Sequence, residues 1–171
     1  MNPFCLLARQ SIEHYLKTGK ILDCPKPLPQ IFKKRAGVFV SIHKKNGELR
    51  GCIGTFLPTQ ENLAQEIIKN SLSAATQDPR FSPLTLSELK NVEISVDILS
   101  QPMPANNLDE LNVKKYGVIV KSADGRSGLL LPDIEGIKTP TEQITIACQK
   151  AGIFPDEPIS IYKFTVKRYK E

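Results

Sequence analysis

The sequence predicts an α+β protein whose mostly antiparallel sheets are built from hairpins, with helices packed on their faces. An Asn46-Gly47 pair separates two runs that alternate apolar and polar residues, Val38–Lys44 and residues 49–56. Asn-Gly between two such runs is the preferred turn of a two-residue hairpin. A second hairpin is predicted over residues 117–131, and a helical pattern follows each hairpin. Because hairpin strands pair antiparallel, this order of elements favours α+β over a parallel α/β fold.

The composition is that of a folded, water-soluble domain. The chain has 171 residues, of which 40% are hydrophobic and 24% are charged. These values exclude a disordered chain, a collagen-like chain and a disulfide scaffold. The length predicts one domain, or one core with an additional lobe. The net charge of +5 is modestly basic, so it permits nucleic-acid contact without arguing for it strongly.

The N-terminal residues do not resemble a signal peptide. Arg9, Glu13 and His14 interrupt the apolar run of residues 1–16. No stretch approaches the ~20 apolar residues that span a bilayer. We therefore expect a cytoplasmic protein with reduced thiols and no membrane contact.

Capping residues predict the helices. The first helix is expected to begin after Asn2, with Pro3 in its first position, and to end at Gly19. The second is expected to begin at Thr59 and to stop before Asp78. Further capping patterns predict a short helix after Thr85 and a last main helix from Thr139 to Gly152.

Two strands and a boundary complete the predicted organisation. Residues 92–98 alternate as a half-buried strand, and residues 159–169 are expected to form one closing strand. The turn-rich segment 101–112 is a candidate boundary between two lobes.

The register of the first hairpin places Cys52 on a polar face. Counting back from Asn46-Gly47 pairs Ser41 with Cys52 and His43 with Arg50. One face then carries only apolar residues, and a slip by one residue would bury the charged set instead. The polar face is predicted to carry Ser41, His43, Lys45, Glu48, Arg50 and Cys52.

Cys52 is the candidate reactive residue of this face. A thiol beside Arg50, and diagonal to His43, is expected to hold more thiolate, with Arg50 as charge partner and His43 as a possible base. Gly51 and Gly54 indicate that a ligand or another backbone approaches the strand closely. The alternative is that Cys52 is a small residue packed under a helix, which is the commoner role of a free cysteine.

Two arginines are further binding candidates, each with a structural alternative. Arg80 follows the second helix and either contacts an anion or pairs with a neighbouring carboxylate. Arg126 lies in the turn of the second hairpin, where the turn amides either bind an anion or only connect the strands. The two histidines and four scattered cysteines lack zinc-type spacing, and no cofactor is evident.

Residues 49–54 read Leu-Arg-Gly-Cys-Ile-Gly, and residues 7–9, 78–84, 128–132 and 148–152 form four further distinctive segments. Together these five segments resemble the AMMECR domain family, whose prokaryotic members are called AmmeMemoRadiSam system protein A. Residues 49–54 (Leu-Arg-Gly-Cys-Ile-Gly) match the signature hexapeptide of that family without departure. Residues 78–84, 128–132 and 148–152 match further family segments in the right order, and residues 7–9 also fit. The resemblance covers nearly the whole chain.

The resemblance implies a fold of two unequal lobes with a cleft. The hexapeptide is expected to lie near that cleft, which adds Leu49, Gly51, Ile53 and Gly54 to Ser41 as binding residues. It also implies that a Memo-like dioxygenase-fold protein and a radical S-adenosylmethionine protein are partners in one pathway.

Three functions stay open at this point. The first is an enzyme or enzyme subunit that uses Cys52, Arg50 and His43. The second is a non-catalytic adaptor that docks through Arg50 and the hexapeptide glycines. The third is an RNA-binding accessory protein, for which the excess of basic residues is the only support.

Overall fold

The computed structural model describes residues 2–171, which form two compact units. The first unit comprises the chain up to Leu99 together with Lys167–Glu171, and the second comprises Ser100–Val166. Each unit contains one four-stranded antiparallel sheet. Helices accompany both sheets, so the α+β prediction is confirmed. No helix among residues 2–171 is long and apolar enough to cross a membrane.

The first unit places two helices, α1 and α2, on one face of its sheet. The strand order is β2-β1-β3-β8, and the buried residues of β1 and β3 pack with those of α1 and α2 in one core. Its elements are α1 (Pro3–Thr18), β1 (Val38–Lys44), β2 (Leu49–Thr55), α2 (Leu63–Thr76), α3 (Leu86–Leu89), β3 (Val92–Leu99) and β8 (Val166–Lys170).

The second unit is smaller and has its own core. Its strand order is β4-β7-β5-β6, with α4 packed on β5 and β6. Its elements are β4 (Met103–Pro104), β5 (Gly117–Ser122), β6 (Ser127–Leu130), α4 (Pro140–Ala151) and β7 (Ile159–Phe164).

The two units share one order of elements. In each, a hairpin is followed by a helix, and the next main strand pairs with the first strand of the hairpin, giving β2-β1-β3 and β6-β5-β7. The predicted single closing strand over residues 159–169 is wrong. The chain leaves β7 at Thr165 and enters β8, which pairs in the first sheet rather than the second.

The capping signals locate the helices well, with one correction. The Asn2 cap, the Gly19 stop and the capping boxes of α3 and α4 are confirmed. The prediction that α2 begins at Thr59 is wrong, because the helix begins at Leu63. The Asn62 side chain accepts the hydrogen bond from the Gln65 amide at 3.0 Å and is therefore the cap. The Thr59 amide is instead bound by the carboxylate of Glu66.

A glycine in each hairpin lets a helix backbone contact the strand. A Cβ atom on Gly51 would lie 2.2 Å from the carbonyl oxygen of Ala74 in α2. A Cβ on Gly128 would lie 1.9 Å from the carbonyl oxygen of Ala147 in α4. Both distances are far inside van der Waals contact, and backbone atoms cannot move aside as a side chain does. The close approach predicted for Gly51 is therefore that of another backbone.

We expect Gly51→Ala to destabilise the protein by about 1–3 kcal/mol, because the new methyl group must push α2 off the sheet. Urea unfolding of the purified protein measures this change. The control is Gly19→Asn, since Gly19 has a φ of +71° with open space around it and asparagine tolerates that conformation. A Gly51→Ala protein as stable as the control would contradict the packing argument.

Candidate functional site

The outer face of the first sheet is polar and forms the candidate site. Its inner face carries buried apolar residues, whereas the alternate positions on β1 and β3 point the other way. Ser41 lies opposite Ser95, and His43 lies opposite Glu93. We use "outer face" for the side chains of Ser41, His43, Cys52, Glu93, Ser95, Asp97 and Arg168.

Cys52 is held on the outer face by Ser41. The two residues pair across β1 and β2, as the sequence predicts, and the Ser41 hydroxyl donates to the Cys52 Sγ atom at 3.2 Å. This hydrogen bond holds the Cys52 sulfur at a defined position on the outer face. His43 lies two residues along β1 on the same face, so it is a diagonal neighbour of Cys52.

The predicted pairing of His43 with Arg50 is wrong. The register shifts after Ile42, so His43 pairs with Leu49 and Arg50 becomes the extra residue of a β-bulge. A bulge redirects the side chain of its extra residue. Arg50 is buried, with 7% of its surface exposed, and its guanidinium binds Glu88 rather than standing beside Cys52 on the outer face.

The Arg50 guanidinium ties three segments together. It donates to both carboxylate oxygens of Glu88, at 2.9 and 3.2 Å, and to the carbonyl oxygen of Ser82 at 3.0 Å. The ring of Phe81 lies 5.9 Å from the guanidinium carbon. The hydrogen bond from Arg50 lowers the pKa of Glu88 to about 2, aided by the Thr85 amide. This geometry assigns Arg50 to joining β2 with α3 and the loop before it.

Asp78 and Arg80 occupy the outer edge of β2 at Cys52. Because β2 is the last strand of its sheet, the Cys52 backbone groups that face away from β1 have no strand partner. The Cys52 amide donates to the Asp78 carboxylate at 2.8 Å, and Arg80 Nη2 lies 3.4 Å from the Cys52 carbonyl oxygen. The two side chains therefore replace the missing strand and fix the backbone that carries the thiol.

Arg80 pairs with a neighbouring carboxylate, that of Asp78, which is one of the two roles that the sequence suggests for it. The Arg80 guanidinium donates to both Asp78 oxygens, at 2.9 and 2.7 Å. These hydrogen bonds, with the Cys52 amide, hold the pKa of Asp78 far below its usual range despite its burial. Arg80 is nevertheless 55% exposed along its side chain, so its positive charge lies at the surface near Cys52.

A concavity of about 400 Å³ lies on the outer face. Residues from β1, β3, β8 and the first hairpin turn line it, and all belong to the first unit. The lining residues are Ser41, His43, Lys44, Lys45, Gly47, Glu93, Ile94, Ser95, Arg168, Lys170 and Glu171. Cys52 adjoins this concavity through its contact with Ser41.

The other predicted binding residues are not brought to the concavity. Ile53 packs against the core of the first unit, and Leu49 is half-buried opposite His43. A Cβ on Gly54 would collide with the Phe39 ring, 2.3 Å away, so this glycine makes room for a side chain of the same unit.

Arg126 belongs to the second unit, and its guanidinium binds groups of that unit. Its guanidinium binds Asp124 within the hairpin turn, and it also binds Glu157 and the Gly152 carbonyl oxygen. These contacts fit the turn-stabilising alternative for this segment rather than an anion site.

Sequence reasoning missed several residues of the outer face. The alternation of residues 92–98 predicts Glu93 and Ser95 only as polar positions of a half-buried strand, and no sequence motif includes Lys170. The available signal was that alternate polar residues of two paired strands must share one face. No local pattern predicts that Glu88 binds Arg50 or that Asp78 binds the Cys52 amide, because these contacts depend on how α2 and α3 pack.

No group of three His, Cys, Asp or Glu side chains that could hold a metal ion comes together within residues 2–171. The four cysteines are all free. Burial raises the pKa of the Cys5 thiol to about 11 and also raises the pKa values of Cys24 and Cys148. Those three thiols are therefore held in the protonated, poorly nucleophilic form.

The family model named AMMECR1 matches residues 5–171. The chain belongs to the AMMECR1 family. The resemblance drawn from the hexapeptide and the four other segments is thereby confirmed, and the family match extends across both units.

Relatives support this assignment along the whole chain. A Thermotoga maritima protein is 52% identical over 171 residues, which cover 99% of this chain and 98% of that protein. A Clostridium acetobutylicum protein is 45% identical over 99% of this chain, but this chain spans only 36% of that relative. The crystal structure of an uncharacterized protein from Pyrococcus horikoshii is similar with a TM-score of 0.88 and 36% identity. It covers 98% of this chain and 89% of the other.

The Arg50–Glu88 pair is expected to make stability depend on acid pH. The folded-state pKa of Glu88, about 2, lies below its ordinary value of 4.5. The ionised carboxylate therefore stabilises the fold above pH 4.5, and this contribution is lost as the pH falls toward 2. We expect the difference in unfolding free energy between wild type and Glu88→Gln to be constant near neutral pH and to shrink as the pH falls from 4.5 toward 2.

Urea unfolding at a series of pH values measures this difference. Glu61→Gln is the matched control, because Glu61 is exposed and has no ion pair within the described part of the chain. The control should differ little from wild type at every pH. A Glu88→Gln difference that does not change between neutral and acid pH would contradict the assigned role of the pair.

Proposed function

We propose that this AMMECR1-family protein is an enzyme or an enzyme subunit in which Cys52 is the reacting nucleophile. The observation that carries the proposal is the Cys52 thiol on the outer face, bound by the Ser41 hydroxyl at 3.2 Å. Its backbone is held at the same residue by Asp78 and Arg80, so the position of the sulfur is fixed from two sides.

Charged and basic side chains surround the thiol. The Arg80 guanidinium, paired with Asp78, is exposed near Cys52. His43 lies on the same face and is the candidate to accept the thiol proton as the sulfur adds to a carbonyl carbon of the substrate. The π electron pair of that carbonyl moves onto its oxygen, which then takes up the proton from His43. Arg50 takes no part in this step, because its donors are occupied by Glu88 and Ser82.

The other three cysteines lie in surroundings that differ from those of Cys52. Cys5 and Cys148 are buried, and Cys24 is half-buried beside the Asn62 side chain. None of these three is paired with a hydroxyl donor on a polar sheet face. The participation of a Memo-like protein and a radical S-adenosylmethionine protein stays a prediction that rests on the family resemblance.

We expect iodoacetamide to modify Cys52 at least roughly tenfold faster than Cys24 in the native protein, because burial raises the pKa of the Cys24 thiol and so lowers its reactivity. Peptide mapping by mass spectrometry at increasing times gives the rate at each cysteine of the unaltered chain.

Ser41→Ala tests the hydrogen bond separately. This change should slow modification of Cys52 and leave Cys24 unchanged, while Ser95→Ala, on the same face, should leave both rates unchanged. Equal rates at Cys52 and Cys24 in wild type would rule out an activated thiol.

Turnover or adduct formation tests the enzyme proposal directly. Wild-type protein incubated with a small-molecule extract of bacterial cells should either gain a covalent adduct on Cys52 or change the amount of an extract component. Cys52→Ser should lose this effect and Cys24→Ser should keep it, as judged by intact-protein and metabolite mass spectrometry. An effect that survives in Cys52→Ser, or no effect with wild type, would contradict the proposal.

A further inference from the structure

The concavity on the outer face has the size of a small-molecule site. Its volume of about 400 Å³ falls within the roughly 300–1,000 Å³ of ordinary ligand pockets. Its floor is rigid, because β1 and β3 pair without interruption from Val38 to Lys44. The hydroxyls of Ser41 and Ser95 lie side by side on that floor, since these residues are direct cross-strand partners.

The charges around the concavity are not balanced. Lys45 and Lys170 line it, and neither ammonium group has a carboxylate within ion-pair distance anywhere in residues 2–171. Lys44 is paired with Glu48 at 2.8 Å, on the hairpin itself. Two ammonium groups at one concave surface therefore remain without a protein counter-charge.

Glu171 and Asp97 do not supply that counter-charge, because each is bound to an arginine. Both carboxylate oxygens of Glu171 accept from Arg9 at 2.5 Å, and one also accepts from the Ile94 amide. Only 9% of the Glu171 side chain is exposed. Asp97 is 2% exposed along its side chain and holds the Arg168 guanidinium through two hydrogen bonds of 2.8 and 2.7 Å. Arg168 is thereby oriented as a further positive group in the lining.

We propose that this concavity binds a small phosphate ester that carries hydroxyl groups. Lysine ammonium groups bind phosphate as point charges, and the Ser95 hydroxyl donates to its oxygens. The Ser41 hydroxyl directs its proton to Cys52 Sγ, so its oxygen accepts from a ligand hydroxyl. Glu93 is the lining carboxylate that forms no ion pair within the described residues, and it accepts from a ligand hydroxyl. The mixture of unpaired lysines, serine hydroxyls and one carboxylate suits a hydroxylated phosphate ester better than an apolar ligand.

The proposed phosphate-ester site does not depend on the thiol chemistry proposed for Cys52, because binding of the ester requires no reaction at sulfur. Binding in a Cys52→Ala protein therefore separates the two proposals: its retention supports this site whether or not Cys52 reacts.

Ribose 5-phosphate is the probe, with ribose and inorganic phosphate as comparisons. Amide resonances of the full-length ¹⁵N-labelled protein are followed as each compound is added at up to millimolar concentration. We expect ribose 5-phosphate to shift the amides of Ser41, His43 and Ser95 saturably, in wild type and in Cys52→Ala. Ribose should leave them unshifted, and inorganic phosphate should shift them at higher concentration.

The Lys45→Gln/Lys170→Gln double variant should bind ribose 5-phosphate at least roughly tenfold more weakly, because it removes two charged donors. Lys20→Gln/Lys114→Gln is the matched control, since it removes the same charge from two exposed lysines outside the concavity. The control should retain wild-type affinity within about twofold.

Three results would overturn the proposal. The first is no saturable shift at the outer-face amides with ribose 5-phosphate. The second is binding of ribose as strong as that of its phosphate ester. The third is equal weakening in the two double variants, which would indicate attraction to net charge rather than a site.

Discussion

The contact of α2 with β2 at Gly51 is the constraint on which the candidate site depends. Without a side chain on Gly51, the last turn of α2 reaches the strand backbone at Ala74. The helix ends two residues later, at Thr76, so the chain is still beside β2 when it reaches Asp78. Asp78 then binds the Cys52 amide, and Arg80 extends along the same edge. The position of Cys52 thus follows from a close helix–strand packing on the opposite side of the sheet.

Most of the Leu-Arg-Gly-Cys-Ile-Gly hexapeptide serves the fold. Arg50 joins β2 to α3, Gly51 and Gly54 admit a backbone and an aromatic ring, and Ile53 packs on the core. Cys52 is the residue of the hexapeptide that presents a reactive atom to the outer face. A motif that the sequence suggests as one binding surface is therefore mainly a set of packing requirements around one cysteine.

In the hairpin that carries Cys52, the sequence predicts one pairing correctly and another wrongly. The turn residues and the alternation predict the Ser41–Cys52 pairing correctly, because a slip would bury charged side chains. The same counting misplaces Arg50, because a β-bulge adds one residue without a signature in the alternation. The carboxylates of Glu88 and Asp78, which bind Arg50 and the Cys52 amide, come from segments 26 or more positions away, which no local pattern connects to the hairpin.

The sequence by itself determined the element types, most helix ends, the pairing at Cys52 and, through the hexapeptide, the family. These features depend on neighbouring residues, since caps, turns and alternation act over a few positions. Only the tertiary structure decided that residues 159–170 divide between two sheets, that Arg50 is buried against Glu88, and that three strands assemble a concavity. Those features arise from packing between segments distant in the chain, where close backbone contact and burial of charge choose among arrangements that are locally equivalent.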